Sequence, residues 1–590
     1  MRSNLHHAFP EKSDVWRKRV AHLTSERLIE MAVYSLMSPY LSKHWYERHF
    51  EMASDVRAAF REAVGSDRGG VILMPHVCLN EMMTSSPTVL EEIAGQPIIY
   101  RPNDQPAFDR WLKRTRERWG MKLLSRKDGL REVSGAVRSG KLLTILFDQN
   151  SGKRGYLFHF MNRLASGTHL PGLLCQKFKV PAYMVIPKRV GFLEVKPSFE
   201  RLPDPEHPAD LILTSHQALE DYLRGSEEQC AEWLWFHNRW RTRESPRRRF
   251  SLRANDNYVA ESLLFQNQTT PAKRFRIWIR MPNWLGDVVM AIPLIRALRG
   301  DRPDAQLTLV ANRNVMPLLK RVGVADQLVP LPDNNASPLA YFRFFYQQRH
   351  NYVDTVLCLT NSTRGDLEAW LTRAPQRFGM LRPNRRRPLL SRSWPMPADL
   401  DETQCHQTEV WEEMFRFYGL QAPLDRSPFL PTNPKTNQIG LICGTENSPK
   451  KRWPVPLWQE LTTKFVKETD VKVHLFGTAN DRSITKQVAN ALDSPRVIDE
   501  AGKTNLEQFM ERLAACRVVI CNDTGGMHLA NMLGVPVIAI FGPTNPLRTG
   551  PVFQGETHIL QPPGCPGIGG ADIKGVTVAR VWQQWEALNA

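Results

Sequence analysis

Short apolar runs recur along most of the chain, each closing on a polar or glycine-bearing turn and followed by a segment of helical periodicity. That alternation predicts strands joined by helices, an α/β chain. Its clearest instance lies in the last third. Val518 to Cys521 reads as a strand, Asn522-Asp523-Thr524-Gly525-Gly526 as a polar glycine turn, and the next segment as a helix closing at Gly534. A second strand, Val535 to Ile540, ends at Gly542-Pro543. Such a βαβ unit directs backbone N–H groups at a helix N-terminus toward the carboxyl ends of parallel strands, where an anionic phosphate would sit. A plain crossover without ligand explains the unit equally well.

Taken in order, the first 60 residues pattern as helix, with aromatics and Leu, Met and Val on one side and Arg17, Lys18, Arg19 and Arg27 elsewhere. Core packing accounts for this, with interfacial contact as the alternative. Strand Val71 to Met74 then runs into Pro75-His76-Val77-Cys78-Leu79-Asn80-Glu81. The H-x4-E pair His76/Glu81 suits a carboxylate orienting an imidazole that acts as general base on a hydroxyl. The same spacing occurs by chance at His6/Glu11 and His216/Asp221, but only His76 follows a buried-looking strand. Cys78 reads as a buried structural thiol. A further strand-like run, Leu142 to Phe147, leads into Asp148-Gln149-Asn150, and the charged stretch Arg243 to Thr270 reads as a linker. From Phe275 a new series opens. Strand Arg276 to Arg280 is followed by Met281-Pro282-Asn283-Trp284-Leu285-Gly286-Asp287 and a helix, where Asp287 is either a helix cap or a base. Strands Leu307 to Ala311 and Thr355 to Leu359 continue the alternation, and the basic, Pro-rich passage Arg382 to Pro397 reads as a loop. Strands Gln438 to Cys443 and Val471 to Phe476 complete two Rossmann-like halves flanking a cleft.

Composition narrows the partners. The 590 residues exceed one core, and a net charge of +18 favours acidic partners: nucleic acid, an anionic membrane or an acidic carrier protein. No zinc-finger spacing, P-loop or RNP-like motif supports nucleic acid. The nine cysteines are scattered and never spaced C-x-x-C, which fits a reducing compartment and argues against structural zinc. No apolar run is long enough to span a bilayer; the nearest candidate, Leu28 to Leu41, is short and contains Glu30 and Pro39.

The His76–Glu81 segment, Tyr100-Arg101-Pro102-Asn103-Asp104 onward, Leu124-Ser125-Arg126-Lys127-Asp128, Leu142 to Asn150 and Trp233 to Arg241 occur in an order and spacing that resemble the lipid A secondary acyltransferases. The resemblance covers roughly residues 1 to 250. It implies an acyl-carrier-protein thioester as donor and His76 as base with Glu81 as its orienting partner. It also implies Arg126 as a substrate or oxyanion contact, and Asp148 and Gln149 as supporting or substrate-positioning residues. Two departures stand out. Many members carry Gly-Asn-Trp between the His and the acid, where this chain has Leu79-Asn80. Members also usually begin with a hydrophobic anchoring helix, whereas this chain starts near Asn4-Leu5 and Phe9-Pro10, as though just after it.

Pro282 to Asp287, Lys451-Arg452-Trp453-Pro454 and Asn522 to Ala530 resemble the heptosyltransferases of lipopolysaccharide core synthesis, specifically the heptosyltransferase II type, over about residues 274 to 590. The resemblance implies the GT-B fold and inversion at the sugar carbon without a metal. Asp287 would then be the base and Lys451 the charge that neutralises departing diphosphate. Thr524, Gly525 and Gly526 would hold the phosphates, with Asp523 and His528 shaping that loop. Heptosyltransferase I relatives carry hydroxyl residues shortly before the lysine, where this chain has Glu446, Asn447 and Ser448.

The expected architecture is an acyltransferase α/β domain (1–245), a linker (246–272), and a GT-B enzyme with an acceptor half (273–435) and an ADP-sugar half (436–590). The expected function is a bifunctional lipopolysaccharide enzyme, peripheral at the cytoplasmic face of the inner membrane. Its partners would be acyl carrier protein, Kdo-lipid A, ADP-heptose and the anionic membrane surface, with no nucleic acid and no cofactor beyond its substrates. The alternative is that only the heptosyltransferase half is active and the N-terminal half docks lipid.

Overall fold

In the computed structural model, described at every residue except 67, 90–94, 126–129, 153–154, 238, 241–248, 253–257, 334, 430–435, 447, 493 and 590, the apolar runs form three parallel-rich sheets. The chain divides into two units, 1–245 with 253–274 and 246–252 with 275–590.

The described residues of the first unit form eight strands: β1 (Gly70–Met74), β2 (Pro97–Tyr100), β3 (Lys122–Ser125), β4 (Leu142–Leu146), β5 (Tyr156–Phe160), β6 (Arg163–Gly167), β7 (Ala182–Gly191) and β8 (Glu194–Arg201). Six form a sheet of order β3-β2-β4-β1-β7-β8, parallel except for the β7–β8 hairpin, while β5 and β6 make a separate antiparallel ribbon. Central β1 is buried at all five positions, which is why its sequence is an unbroken apolar run rather than an alternating one. In its pairing with β4, Met74 stands opposite Leu146. Whatever follows those two residues therefore emerges side by side at one sheet edge.

The described residues of the second unit form two six-stranded sheets. The first has β9 (Phe275–Arg280), β10 (Ala305–Ala311), β11 (Gln327–Pro330), β12 (Thr355–Cys358), β13 (Gln376–Leu381) and β14 (Arg392–Pro395). The second has β15 (Gln438–Ile442), β16 (Lys472–Phe476), β17 (Val497–Asp499), β18 (Val518–Asn522), β19 (Val537–Ile540) and β20 (Thr557–Leu560). Both are wholly parallel and share one order: third, second, first, fourth, fifth, sixth. That is the doubly wound arrangement, whose ligands bind beyond the carboxyl ends of the first and fourth strands. The duplicated Rossmann-like reading holds, and the pair constitutes a GT-B fold.

Two expectations change. Residues 382–397 are not all loop, because β14 adds the edge strand to β13. Nor are the described residues of 246–272 a free linker. Phe250 is fully buried against Phe378, Phe415 and Tyr418, while the Arg249 guanidinium sits 4.0 Å from the centre of the Phe275 ring. Helix Val259–Phe265 belongs instead to the first unit, where Tyr258 N–H donates to Leu157 O and the Ser262 hydroxyl accepts from His159 N–H. Among the described residues no helix is long and apolar enough to cross a membrane.

Candidate active sites

In the first unit, His76 follows β1 and Asp148 follows β4, each two residues beyond the paired Met74 and Leu146. The register brings them together. His76 Nδ1 lies 2.6 Å from Asp148 Oδ1; because an ionised carboxylate only accepts, the ring proton is on Nδ1 and Nε2 keeps its lone pair. Asp148 Oδ2 accepts from the His76 backbone N–H at 3.0 Å and from the Trp233 indole at 2.6 Å. Burial alone would push the Asp148 pKa up; the facing imidazole and these donors overcome it and hold the carboxyl below the usual range. The Gln149 amide nitrogen stands 2.9 Å from Nε2 and covers the lone pair.

Glu81 is not the orienting partner that the H-x4-E spacing suggests. Helix Asn80–Ser85 starts one residue before it and carries its carboxylate to Ser35, whose hydroxyl donates at 2.8 Å, and to the Arg116 guanidinium. Asp148, expected in a supporting role, holds the imidazole. Cys78 is fully buried and burial raises its thiol pKa strongly, so it is no nucleophile. Arg126, Lys127 and Asp128 lie outside the described residues. Behind Asp148, Arg239 is fully buried, donating to Ser166 O at 2.7 Å and to His216 Nε2 at 2.9 Å. Burial lowers its pKa to about 10, against the opposing pull of Asp148. Its carbonyl accepts from Asn150, tying down the turn that carries Asp148 and Gln149.

In the second unit, Asp287 follows β9 while Asp523 and Thr524 follow β18, so both lie at strand-order reversals. Helix Leu285–Asp301 is capped at Trp284 without a side-chain bond, and Asp287 sits in its first turn. Asp287 is therefore not the cap. Burial raises its carboxyl pKa, and the charges that face it are Arg548, Lys451 and Asp523. Lys451 Nζ is 2.7 Å from Asp523 Oδ2. Thr524 caps helix Gly525–Met532, accepting from Gly526 N–H at 3.1 Å. Asn522 fixes the turn by accepting from Trp453 N–H at 3.0 Å and donating to Cys443 O at 2.8 Å.

The two glycine turns meet. A Cβ on Gly286 would stand 2.7 Å from His528 Cδ2, and one on Gly525 would stand 3.1 Å from Leu285, so both glycines allow helix starts from the two sheets to abut. His528 is buried, and burial lowers its pKa to about 4, so its ring is neutral at neutral pH. Asn447 lies outside the described residues.

Sequence reasoning missed Trp233 as a ligand of Asp148, Arg116 on Glu81, and Arg548 facing Asp287. Arg548 is held by Glu402 at 2.7 Å, and His406 of the same 402–407 segment bonds Gly550 O at 2.9 Å. Trp233 opens a segment that carries the acyltransferase resemblance, but no local spacing gives these three residues their partners, which they reach through tertiary contact. Among the described residues, no cluster of three His, Cys, Asp or Glu side chains could hold a metal ion.

The fold and these sites define a GT-B glycosyltransferase preceded by an α/β domain that holds a carboxylate–imidazole pair. The profile of the bacterial lipid A biosynthesis acyltransferase family matches residues 1–242, and that of glycosyltransferase family 9 (heptosyltransferase) matches residues 342–566. Lipopolysaccharide heptosyltransferase 2 of Salmonella typhimurium is 28% identical over 302 residues, which cover 47% of this chain and 85% of the relative. Lipopolysaccharide heptosyltransferase 1 of Pseudomonas aeruginosa is 30% identical over 228 residues, covering 36% and 62%. The solved ADP-heptose lipopolysaccharide heptosyltransferase II of E. coli covers 53% of this chain and 98% of its own, at 25% identity and a TM-score of 0.45. The two matches mark an N-terminal lipid A acyltransferase domain and a C-terminal heptosyltransferase domain of glycosyltransferase family 9, each over less than half of the chain.

Proposed function

We propose that the chain is a bifunctional enzyme of lipopolysaccharide assembly. It transfers an acyl group from acyl carrier protein to a hydroxyl of a lipid A precursor, and heptose from ADP-heptose to the inner core. The observation that supports this reading is that each unit places an ionisable side chain able to take a proton at the carboxyl ends of its parallel strands: His76 against Asp148, and Asp287 facing Lys451 and Arg548. We assign residues 1–245 to the acyltransferase, 273–435 to the acceptor half and 436–590 to the ADP-sugar half of the glycosyltransferase.

In the acyl transfer, the acceptor hydroxyl displaces Gln149 from His76 Nε2 and gives up its proton there as its oxygen attacks the thioester carbonyl. Asp148 stabilises the imidazolium, and the proton leaves with the carrier-protein thiol when the C–S bond breaks. Glu81, Arg116 and Arg126 position the substrate. In the heptosyl transfer, Asp287 takes the acceptor proton while the oxygen attacks the anomeric carbon opposite the leaving ADP, which inverts that centre. Lys451 exchanges Asp523 for the departing diphosphate, and Thr524, Gly525 and Gly526 line the phosphate side next to neutral His528. Neither step is routed through a metal or cofactor. The net charge of +18 suits an acidic carrier protein and a phosphorylated glycolipid at the cytoplasmic face of the inner membrane.

The test is to incubate the purified chain with tetraacylated Kdo-lipid A, acyl carrier proteins loaded with different chain lengths, and ADP-heptose, and to weigh the products by mass spectrometry. Wild type should add one acyl and one heptosyl increment. His76→Ala should lose only the first and Asp287→Ala only the second. Acyl transfer by His76→Ala at the wild-type level would reduce the N-terminal unit to a lipid-docking module.

A further inference from the structure

Helix Asp14–Met37 changes character halfway along its solvent side. For its first turns the exposed positions include Lys18, Arg19, His22 and Glu26, as expected of a solvated face. From Ile29 onward the exposed positions are Ile29, Ala32, Leu36 and Met37, continued by Tyr40 after the helix ends. Ile29, Leu36 and Tyr40 are 66%, 67% and 84% exposed, and residues 31–42 contain no charged side chain. The positions 29, 32, 36 and 40 follow the helical repeat, so they form one apolar stripe roughly 16 Å long. The tip of the β7–β8 hairpin lies beside the start of this stripe. Glu30, itself buried, accepts from the Arg189 guanidinium at 2.8 Å and from Leu193 N–H at 2.7 Å. Those bonds fix the turn between them, whose Val190 and Phe192 are 56% and 63% exposed.

Two further features bear on what covers this surface. Cationic side chains border it: Arg118, held on Pro39 O at 2.6 Å, exposed Lys43 and half-buried Lys188. Ser35, on the flank of this stripe, donates to Glu81, so the stripe borders the segment that carries both Glu81 and His76. An apolar strip of aliphatic and aromatic residues edged with cations is the composition of a segment that lies in a membrane interface, with apolar side chains at the acyl boundary and charges at anionic headgroups. Residues 31–42 expose Leu36 and Tyr40 with no charged side chain among them, and Ile29, Val190 and Phe192 extend the apolar surface up to exposed Glu194.

We infer that the helix end 29–40 and the hairpin tip 190–192 dock the N-terminal unit on an anionic lipid bilayer, setting its active site at the surface from which a lipid substrate is drawn. The inference rests on the reading of this unit as an enzyme acting on a membrane lipid. The full chain is sedimented with vesicles of phosphatidylcholine alone and with 30% phosphatidylglycerol. Wild type should pellet at least tenfold more strongly with the anionic vesicles. Leu36→Asp/Phe192→Asp should lose at least tenfold of that binding, while Val15→Asp, on the charged half of the same helix, should bind as wild type. Equal binding by the double variant and wild type, loss of binding in Val15→Asp alone, or no vesicle binding by wild type would overturn the inference. So would protection of this surface by a soluble protein partner with none by vesicles, read by hydrogen exchange at 188–193. Acyl transfer measured in detergent micelles separates the two readings: the double variant should keep wild-type turnover there. If wild type shows none, the enzymatic reading fails while the sedimentation result still decides the docking surface.

Discussion

At the scale of single residues, the first unit turns on which carboxylate serves His76. Asp148 holds the ring tautomer through Nδ1, whereas Glu81 is engaged by Ser35 and Arg116. Asp148→Asn should therefore lower kcat for acyl transfer by about 10²–10⁴-fold, the span of general-base contributions, because an amide can present N–H to Nδ1 and invert the tautomer. Glu81→Gln should act mainly on KM, and steady-state kinetics on one acceptor separates the two. The contrast shows what a sequence can and cannot carry. His76 was legible because a polar residue directly after a buried apolar run stands at a strand's carboxyl end. Its partner was not, because the pairing depends on Met74 lying opposite Leu146, and no local spacing encodes that register. Asp287, Lys451, Asp523 and His528 were named together only through the resemblance to heptosyltransferases; the fold places Lys451 on Asp523 and both facing Asp287. Arg548 was not among them, because Glu402 positions it from the other half of the unit.

At the scale of elements, the strands best read from sequence were those buried on both faces, since continuous apolar runs are hard to mistake. The four-residue edge strand β14 was missed because two of its residues are Arg392 and Pro395, the chemistry that protects an edge and also marks a loop. Helix Val259–Phe265 was missed because it is seven residues long and buries only Ser262 and Leu263. Helix termini give a sharper test. Helix Leu170–Phe178 ends on Lys179 at φ 52°, a left-handed cap that glycine adopts without steric cost. Lys179 is exposed, so its replacement removes little packing. Lys179→Gly should stabilise the first unit by about 1 kcal/mol, the usual penalty of a left-handed residue bearing a Cβ. Urea unfolding followed by tryptophan fluorescence should show that unit's transition moving to higher denaturant, with the second transition unmoved.

At the scale of the molecule, buried histidines set the response to acid. His528 has an ordinary pKa of 6.5 and a folded value of about 4, so between those values the unfolded chain binds a proton that the folded chain refuses. Its contribution is fully present above pH 6.5 and is lost as pH falls toward 4, amounting to about 3 kcal/mol at 1.4 kcal/mol per unit. His406 and His474 are lowered by burial as well and act in the same direction. The second unit's melting temperature should thus fall continuously from pH 7 to pH 5, and calorimetry that finds it flat over that range would contradict the neutral buried state. The division of the chain makes a further demand. Residues 246–252 belong to the second unit and 253–274 to the first, so the stretch resembling a linker contributes to both folds. Phe250 fills an aromatic pocket of Phe378, Phe415 and Tyr418, and Arg249 adds a bond from Nε to Thr355 Oγ1 at 2.6 Å. Phe250→Ala should cost the second unit about 3–5 kcal/mol, as for other buried phenylalanines truncated to alanine. A heptosyltransferase fragment cut at residue 273 loses the whole plug, whereas one cut at 246 keeps it. The shorter fragment should melt well below the longer one and lose heptosyl transfer at temperatures where the longer is fully active; equal melting temperatures would show that 246–252 adds nothing to the fold.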